Sequence, residues 1–297
     1  MEFLWFLTQF RTPFTEKAAQ FITYFGQDVF IIAFICVCFW SIDKKTAYRA
    51  GFSFCLAGCM VQGLKIVFRI PRPWILDKNF SPVESAVPAA TGYSFPSGHT
   101  QSATSVYGSF AKTSKKLSLK IIFIVMFCLV GLSRMLLGVH TPKDVLTAMG
   151  IAIVCLFVSE WFFVRKNQTK VFILPIILIV FALGIYIYSN ISYRLGIIEY
   201  RYAVDCAKCA GAVLGFTLGY YLDEHVIDYP IIKGRTINII KCISGIVLVI
   251  LLKVGLKAIL PRTLVCSSIR NMILILFIIV IHPMLFQFIY SKVRKVH

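Results

Sequence analysis

Three short clusters of charged and polar residues interrupt an otherwise apolar sequence. They are residues 65–73, 96–99 and 133–144. Charged side chains at membrane depth are costly, so residues of this kind are candidates for function by default. Their types, which are cations, histidines and a single carboxylate, suit the binding of an anion and the transfer of a proton.

The first and third clusters supply three cations, Lys65, Arg72 and Arg134. No matching cluster of acids accompanies them. Converging cations suit a phosphate, because arginine offers forked hydrogen bonds to its oxygens. In the second cluster, Ser97 is a predicted helix N-cap, and Gly98 lets an anion approach the backbone. The N–H groups at the start of that helix would add donors to the same pocket.

The third cluster also carries a histidine and a carboxylate four residues apart, His140 and Asp144. Thr141 as N-cap and Pro142 at the first position predict a helix start between them. Asp144 can then reach back to His140, fix its tautomer and make the other ring nitrogen a better nucleophile or base. With His99 beside the same anion, one histidine could attack phosphorus while the other protonates the leaving oxygen.

The composition shows what kind of fold must position these residues. The chain is 58% hydrophobic and 15% charged, against roughly 25% charged residues in soluble domains. Residues 171–193 and 271–291 lack Asp, Glu, Lys and Arg, and each run is long enough to cross a bilayer. The net charge of +18 lies mostly in short clusters between apolar runs. That pattern is typical of cytoplasmic loops, so no nucleic-acid partner is expected.

The sequence therefore predicts an all-α polytopic transmembrane bundle of about eight or nine spans. The predicted helices are 18–42, 47–69, 97–112, 119–139, 143–164, 171–189, 205–222, 237–258 and 271–291, and residues 1–17 form an interfacial segment. The functional core is predicted at 1–165, and 166–297 adds transmembrane helices of open role. An up-and-down path brings all three clusters to one membrane face.

Loop charge predicts which face this is. The loops 43–49, 112–120 and 165–170 hold ten Lys and Arg, whereas the opposite side of the same half holds eight, three of them already assigned to chemistry. This bias favours the first side as cytoplasmic and the three clusters as extracytoplasmic. Short loops and the absence of an extracellular cysteine framework lead us to expect a bacterial plasma membrane.

The three clusters resemble the signature motifs of the type 2 phosphatidic acid phosphatase superfamily. Those motifs are Lys-x6-Arg-Pro, Pro-Ser-Gly-His and Ser-Arg-x5-His-x3-Asp, and every signature position matches over residues 60–145. The resemblance implies a phosphatase without metal or cofactor, in which His140 forms a phosphohistidine, Asp144 orients it and His99 is the general acid. It also implies that the phosphate is held by Lys65, Arg72, Ser97, Gly98 and Arg134.

The resemblance leaves the substrate open. Our first hypothesis is a lipid phosphomonoester or diphosphate, such as phosphatidic acid, phosphatidylglycerophosphate or undecaprenyl diphosphate. An alternative is a soluble phosphomonoester such as a sugar phosphate, since the path with an outside N-terminus also resembles the glucose-6-phosphatase branch. A second alternative is a non-catalytic transporter or binding protein, against which His99, His140 and Asp144 argue. The expected partners are the bilayer and a phosphorylated lipid, and the oligomeric state is left open.

Overall fold

The computed structural model describes residues 1–164, 173–232 and 234–296, and the described residues form helices without a strand. The basic loop predicted at 165–170 lies outside these residues. The helices are, in chain order, α1 (Glu2–Thr8), α2 (Pro13–Tyr24), α3 (Asp28–Ser41), α4 (Lys44–Phe68), α5 (Pro73–Leu76), α6 (Gly98–Thr113), α7 (Leu117–Leu136), α8 (Pro142–Val164), α9 (Ile173–Arg194), α10 (Tyr200–Leu222), α11 (Arg235–Ile259), α12 (Leu264–Leu276) and α13 (His282–Val296).

The polytopic helical bundle predicted from composition is confirmed, although fewer helices qualify as spans than predicted. Within the described ranges, six helices are long and apolar enough to cross a membrane, or seven if α2 and α3, bent by 47°, form one span. The predicted spans at 97–112 and 205–222 are helical but do not meet this standard. Helix α6 does not qualify because it is only 16 residues long and rich in Ser and Thr. Its polar side chains are buried where α6 packs against α7 and α8, as predicted.

The chain divides into two compact units. Unit 1 contains residues 1–32 and 49–166, and unit 2 contains residues 33–48 and 167–297. The three clusters of the sequence analysis all lie in unit 1. The boundary at residue 165 between a functional core and added helices stays a prediction.

In unit 1, the long connection between α5 and α6 is fastened to the N-terminal residues and to the end of α7. Arg11 donates from Nε to the carbonyl of Leu136 at 2.8 Å and from Nη1 to that of Ser81 at 2.7 Å. The indole N–H of Trp5 donates to the Asp77 carboxylate at 3.0 Å. The connection therefore has a fixed backbone despite its many prolines, which matters because its carbonyl groups face the site described below.

Unit 2 has a polar interior of its own. Lys44 Nζ lies 2.8 Å from the buried Asp223 carboxylate, which also accepts a hydrogen bond from the Tyr48 hydroxyl at 2.5 Å. Lys241, 1% exposed, donates to the carbonyl of Trp40 at 3.2 Å. Buried charges need such partners, because each one loses its hydration.

Glycines at every fourth position line one face of α10, namely Gly211, Gly215 and Gly219; the first two face α12, and the third faces Ile279, which follows α12. A Cβ atom at Gly211 would overlap the backbone of Ser268, and one at Gly215 would lie 2.5 Å from the carbonyl oxygen of Met272. Small residues at this spacing let helix backbones approach closely in membranes. The close approach of α10 and α12 therefore requires glycine.

We expect Gly215→Ala to destabilise unit 2, because the added Cβ forces the two backbones apart. Overpacking of this kind costs about 1–3 kcal/mol, and it is measured as a lower melting temperature of the detergent-purified chain. Gly184→Ala is the matched control, since a Cβ at Gly184 in α9 meets no atom within 4 Å and alanine favours the helix. Equal melting temperatures for the two variants would contradict this account of the packing.

Candidate active site

The predicted site residues come from the ends of four helices and the turns beside them. Lys65 lies in the last turn of α4, Arg72 directly precedes α5, and Arg134 lies in the last turn of α7. His99 is in the first turn of α6, and His140 lies in the turn between α7 and α8. These elements all belong to unit 1, and the contacts below join the three clusters to one another.

Arg72 is held by backbone carbonyl groups on both sides of the site. Nε donates to Gly92 at 3.0 Å, Nη2 donates to Thr91 at 2.7 Å, and Nη1 donates to Val139 at 2.9 Å. Nη1 also lies 3.0 Å from Nε2 of His140. Because guanidinium groups only donate, that contact requires Nε2 to accept, which assigns the ring proton of neutral His140 to Nδ1.

Asp144 faces the other nitrogen of the same ring. Its Oδ2 lies 3.5 Å from Nδ1 of His140, accepts the hydroxyl of Ser94 at 2.6 Å, and accepts the backbone N–H of Thr141 at 2.8 Å. His140 and Asp144 are each 2% exposed. A buried carboxylate next to Nδ1 favours the same tautomer as the Arg72 contact.

The predicted helix start at this point is confirmed. Helix α8 begins at Pro142, and the Thr141 hydroxyl accepts the backbone N–H of Asp144 at 3.4 Å. Together with the reverse bond from the Thr141 N–H to Asp144, this is a reciprocal cap in which aspartate takes the place of glutamate. The cap fixes the carboxylate relative to His140.

The second cluster opens α6, as predicted, but the Ser97 hydroxyl does not cap the helix. Ser97 is the N-cap residue, yet its hydroxyl accepts a hydrogen bond from the Thr100 hydroxyl at 2.9 Å and none from the α6 backbone. The backbone N–H of Ser97 donates to the carbonyl of Asp144 at 3.1 Å, so the starts of α6 and α8 are joined directly. A Cβ at Gly98 would meet no atom within 4 Å, which leaves room for an anion at the helix start.

Apart from Nδ1 of His140, which faces the Asp144 carboxylate at 3.5 Å without a hydrogen bond, two buried side chains in the site have donor or ring atoms that no described residue satisfies. They are Nε and Nη2 of Arg134 and Nε2 of His99. Arg134 is fully buried, and its Nη1 donates to the hydroxyl of Thr23 at 2.9 Å. Buried polar groups are normally hydrogen-bonded, so these atoms indicate a polar ligand between α6 and the end of α7.

The electrostatic environment keeps His140 neutral. Burial is the largest cause that lowers the pKa of His140 well below its ordinary value, and the positive charges of Arg72, Arg134 and Lys65 lower it further. Lys65, 8% exposed, donates from Nζ to the carbonyl of Tyr93 at 2.8 Å. A neutral imidazole with its Nε2 lone pair directed toward the cations is the form that can act as a nucleophile.

Sequence reasoning missed two side chains that hold the predicted residues in place. Ser94 lies two positions before Pro96, and only its hydrogen bond to Asp144 distinguishes it from other loop serines. Thr23 lies in α2, far from every motif. Hydroxyl groups of this kind give no local signal, because their partners are distant in the chain.

Comparison with known proteins places this site in a family. Residues 46–168 match the model described as PAP2 superfamily, and residues 207–293 match the model described as PAP2 superfamily phosphatase, transmembrane extension. The chain belongs to the PAP2 superfamily. The motif residues all lie within the first PAP2 match, whereas Thr23 and Arg11 lie N-terminal to it.

Two curated relatives of this PAP2 protein are sphingosine-1-phosphate phosphatase 2 of Mus musculus and of Homo sapiens. The mouse protein is 25% identical over 218 residues, which cover 69% of this chain and 58% of that protein. The human protein is 25% identical over 253 residues, which cover 79% of this chain and 62% of that protein. The chain thus spans about three fifths of the length of these relatives.

Among solved structures, the PAP2 protein is similar to the crystal structure of Aquifex aeolicus LpxE. The identity is 26% and the TM-score is 0.48. The match covers 54% of this chain and 93% of that chain.

The neutral state of His140 predicts how the stability of unit 1, which contains this residue, depends on pH. The unfolded chain protonates His140 near its ordinary pKa of about 6.5, whereas the folded chain does not, so acid favours unfolding and stability rises with pH. One such group contributes about 1.4 kcal/mol between pH 5.5 and 7.5. We expect His140→Gln to flatten this dependence, as measured by melting temperatures at both pH values. An unchanged slope in the variant would contradict a buried neutral His140.

Proposed function

We propose that this protein is a membrane phosphatase that removes phosphate from a phosphorylated lipid through a phosphohistidine on His140. The observation that carries the proposal is the arrangement around that ring. Arg72 contacts Nε2 at 3.0 Å, and Asp144 lies 3.5 Å from Nδ1. The first contact supports a role for Arg72 as a phosphate-binding cation beside the attacking nitrogen, and the second supports a role for Asp144 in stabilising the ring once it becomes cationic.

In the proposed ground state, the phosphate lies among Lys65, Arg72 and Arg134, with the backbone N–H of Gly98 and the hydroxyl of Ser97 at the start of α6 as further donors. The unsatisfied Nε and Nη2 atoms of Arg134 support this, because they offer a forked pair of donors to phosphate oxygens. Arg72 transfers its Nη1 hydrogen bond from His140 to the phosphate, which frees the Nε2 lone pair.

In the first chemical step, Nε2 of His140 forms a bond to phosphorus while the bond from phosphorus to the ester oxygen breaks. Burial, followed by the positive charges around it, lowers the pKa of His99 in the unliganded site, whereas the negative charge of a bound phosphate favours its protonated form. In the proposed complex, protonated His99 gives its proton to the departing oxygen, so the lipid leaves as an alcohol. The proton on Nδ1 of His140 stays in place beside Asp144. In the second step, neutral His99 takes a proton from water, the oxygen of that water attacks phosphorus, and the N–P bond breaks to release phosphate.

Apolar side chains next to the first motif support a lipid as the substrate. Phe68 precedes Arg72 and is 55% exposed, while Ile75 and Leu76 in α5 follow it and are 60% and 54% exposed. These residues end a helical segment, Lys44–Leu76, that is apolar enough to cross a membrane, so a lipid in the bilayer would lie close to the first motif. The name of the curated relatives, sphingosine-1-phosphate phosphatase 2, points to the same class. The charge bias of the loops favours an extracytoplasmic active site in a plasma membrane.

We expect His140→Ala to abolish phosphate release and covalent labelling by a phosphate-labelled lipid substrate, because the variant lacks the attacking nitrogen. The measurement is the rate of release, together with acid-labile, base-stable label on rapidly quenched protein. His225→Ala is the matched control, since His225 is exposed and lies in unit 2. Release by a folded His140→Ala protein at close to the wild-type rate would rule out the phosphohistidine.

The substrate class is tested with the detergent-purified chain in EDTA and a panel of phosphatidic acid, phosphatidylglycerophosphate, undecaprenyl diphosphate, sphingosine 1-phosphate and glucose 6-phosphate. We expect release from at least one lipid and continued release in EDTA, since each step above uses side chains of the chain itself. Release from glucose 6-phosphate alone would replace the lipid hypothesis with the soluble one. Phosphate binding without release from any substrate would favour a transporter or binding protein.

A further inference from the structure

The Arg134 guanidinium is fully buried but little constrained by the protein around it. Its Nη1 donates to the Thr23 hydroxyl at 2.9 Å, and no described residue accepts from its Nε or Nη2. Within the part of the chain that the structure describes, no carboxylate lies within ion-pair distance of it. An arginine side chain has several rotatable bonds, and its planar fork binds phosphate well when its orientation is fixed. The Thr23 hydroxyl is the group that supplies this orientation.

Thr23 lies in the last turn of α2, directly before the break between α2 and α3, and this break is packed tightly against the site. A Cβ at Gly26 in this break would lie 2.9 Å from the carbonyl oxygen of His99 and 2.6 Å from Val130. The Tyr107 hydroxyl of α6 donates to the carbonyl of Phe25 at 2.9 Å. The break is therefore fixed against α6 and α7, so the Thr23 hydroxyl has a defined position relative to His99 and Arg134.

We propose that Thr23 is a positioning residue for phosphate binding, which acts by orienting Arg134 without neutralising its charge. A carboxylate at this position would hold the guanidinium equally well but would compete with phosphate for it. The neutral hydroxyl, 0% exposed, accepts one N–H and leaves Nε and Nη2 directed to the ligand. This inference rests on the proposed function in one respect, which is that the ligand carries a phosphate group. Thr23 itself lies N-terminal to residues 46–168, which match the family model.

The test uses anion binding, which does not require turnover. Inorganic phosphate and orthovanadate are titrated into the detergent-purified full chain, and the dissociation constants are compared for wild type, Thr23→Val and Thr23→Ser. Valine keeps the branched shape but removes the acceptor, which leaves a buried charged donor unsatisfied. We expect dissociation constants about tenfold higher in Thr23→Val, and values within about twofold of wild type in Thr23→Ser, since serine restores the hydroxyl.

Two further variants separate positioning from general packing. Thr113→Val is the matched control, because the Thr113 hydroxyl bonds carbonyl groups of its own helix, α6; it is expected to bind as wild type does. In the Arg134→Lys background, Thr23→Val is expected to cause little further loss, since the two residues act as one unit.

The outcomes are distinct from those of the proposed function. Equal binding by Thr23→Val and wild type would overturn the inference, as would equal losses in Thr23→Ser and Thr23→Val or an additive loss with Arg134→Lys. An absence of anion binding by the wild type would remove both the anion site and the inference. Anion binding that depends on Thr23, without hydrolysis of any ester, would keep the inference and refute the phosphatase.

Discussion

Positive charge buried beside a neutral histidine is the constraint on which the rest of the site depends. Lys65, Arg72 and Arg134 are all less than a tenth exposed, and a buried cation loses several kcal/mol of hydration unless polar groups replace the water. Carbonyl oxygens of the connection between α5 and α6 do this for Lys65 and Arg72. Carbonyl dipoles solvate the cations without removing their charge, so the attraction for an anion is retained.

This arrangement requires a rigid connection, because a carbonyl that moves by an ångström no longer solvates its cation. The rigidity comes from contacts outside the motifs. Arg11 joins the connection to the end of α7, and Ser94 joins it to Asp144 at the start of α8. Asp144 in turn joins α8 to α6 through the N–H of Ser97. Asp144, whose carboxylate faces Nδ1 of His140 and whose backbone carbonyl accepts from Ser97, is therefore the residue at which three segments of the fold meet.

Much of the fold and part of the candidate site could be predicted from the sequence, because the signals that specify them are local. Apolar runs of span length and the Thr141–Pro142 helix start are local signals, and the structure confirms them. Fewer of the described helices than predicted have the length and hydropathy of a span, in part because α6 is short and buries hydroxyl groups. Ser97 was predicted to cap α6 with its hydroxyl, but a second hydroxyl at Thr100 competes for it.

The rest could not be predicted because it depends on pairing between distant residues. Thr23 and Arg134 are 111 positions apart, and a threonine near the end of an apolar helix is ordinary in composition. The glycines of α10 are visible in the sequence at a spacing of four, but their partner, α12, is not specified by that spacing. Long-range contacts of this kind follow from helix packing, which a motif does not encode.

The partners of Arg134 show how binding and stability oppose each other in this site. A carboxylate acceptor would stabilise the unliganded chain, because it would compensate a charge that is buried and only partly hydrogen-bonded. The same carboxylate would lower phosphate affinity, since the ligand would have to displace it. A neutral threonine hydroxyl satisfies one N–H and leaves the charge in place, so in the proposed complex the phosphate itself would complete the hydrogen bonding of the guanidinium. Sites that act on charged ligands commonly keep such local instability, because satisfying the donors within the protein would remove the reason for the ligand to bind.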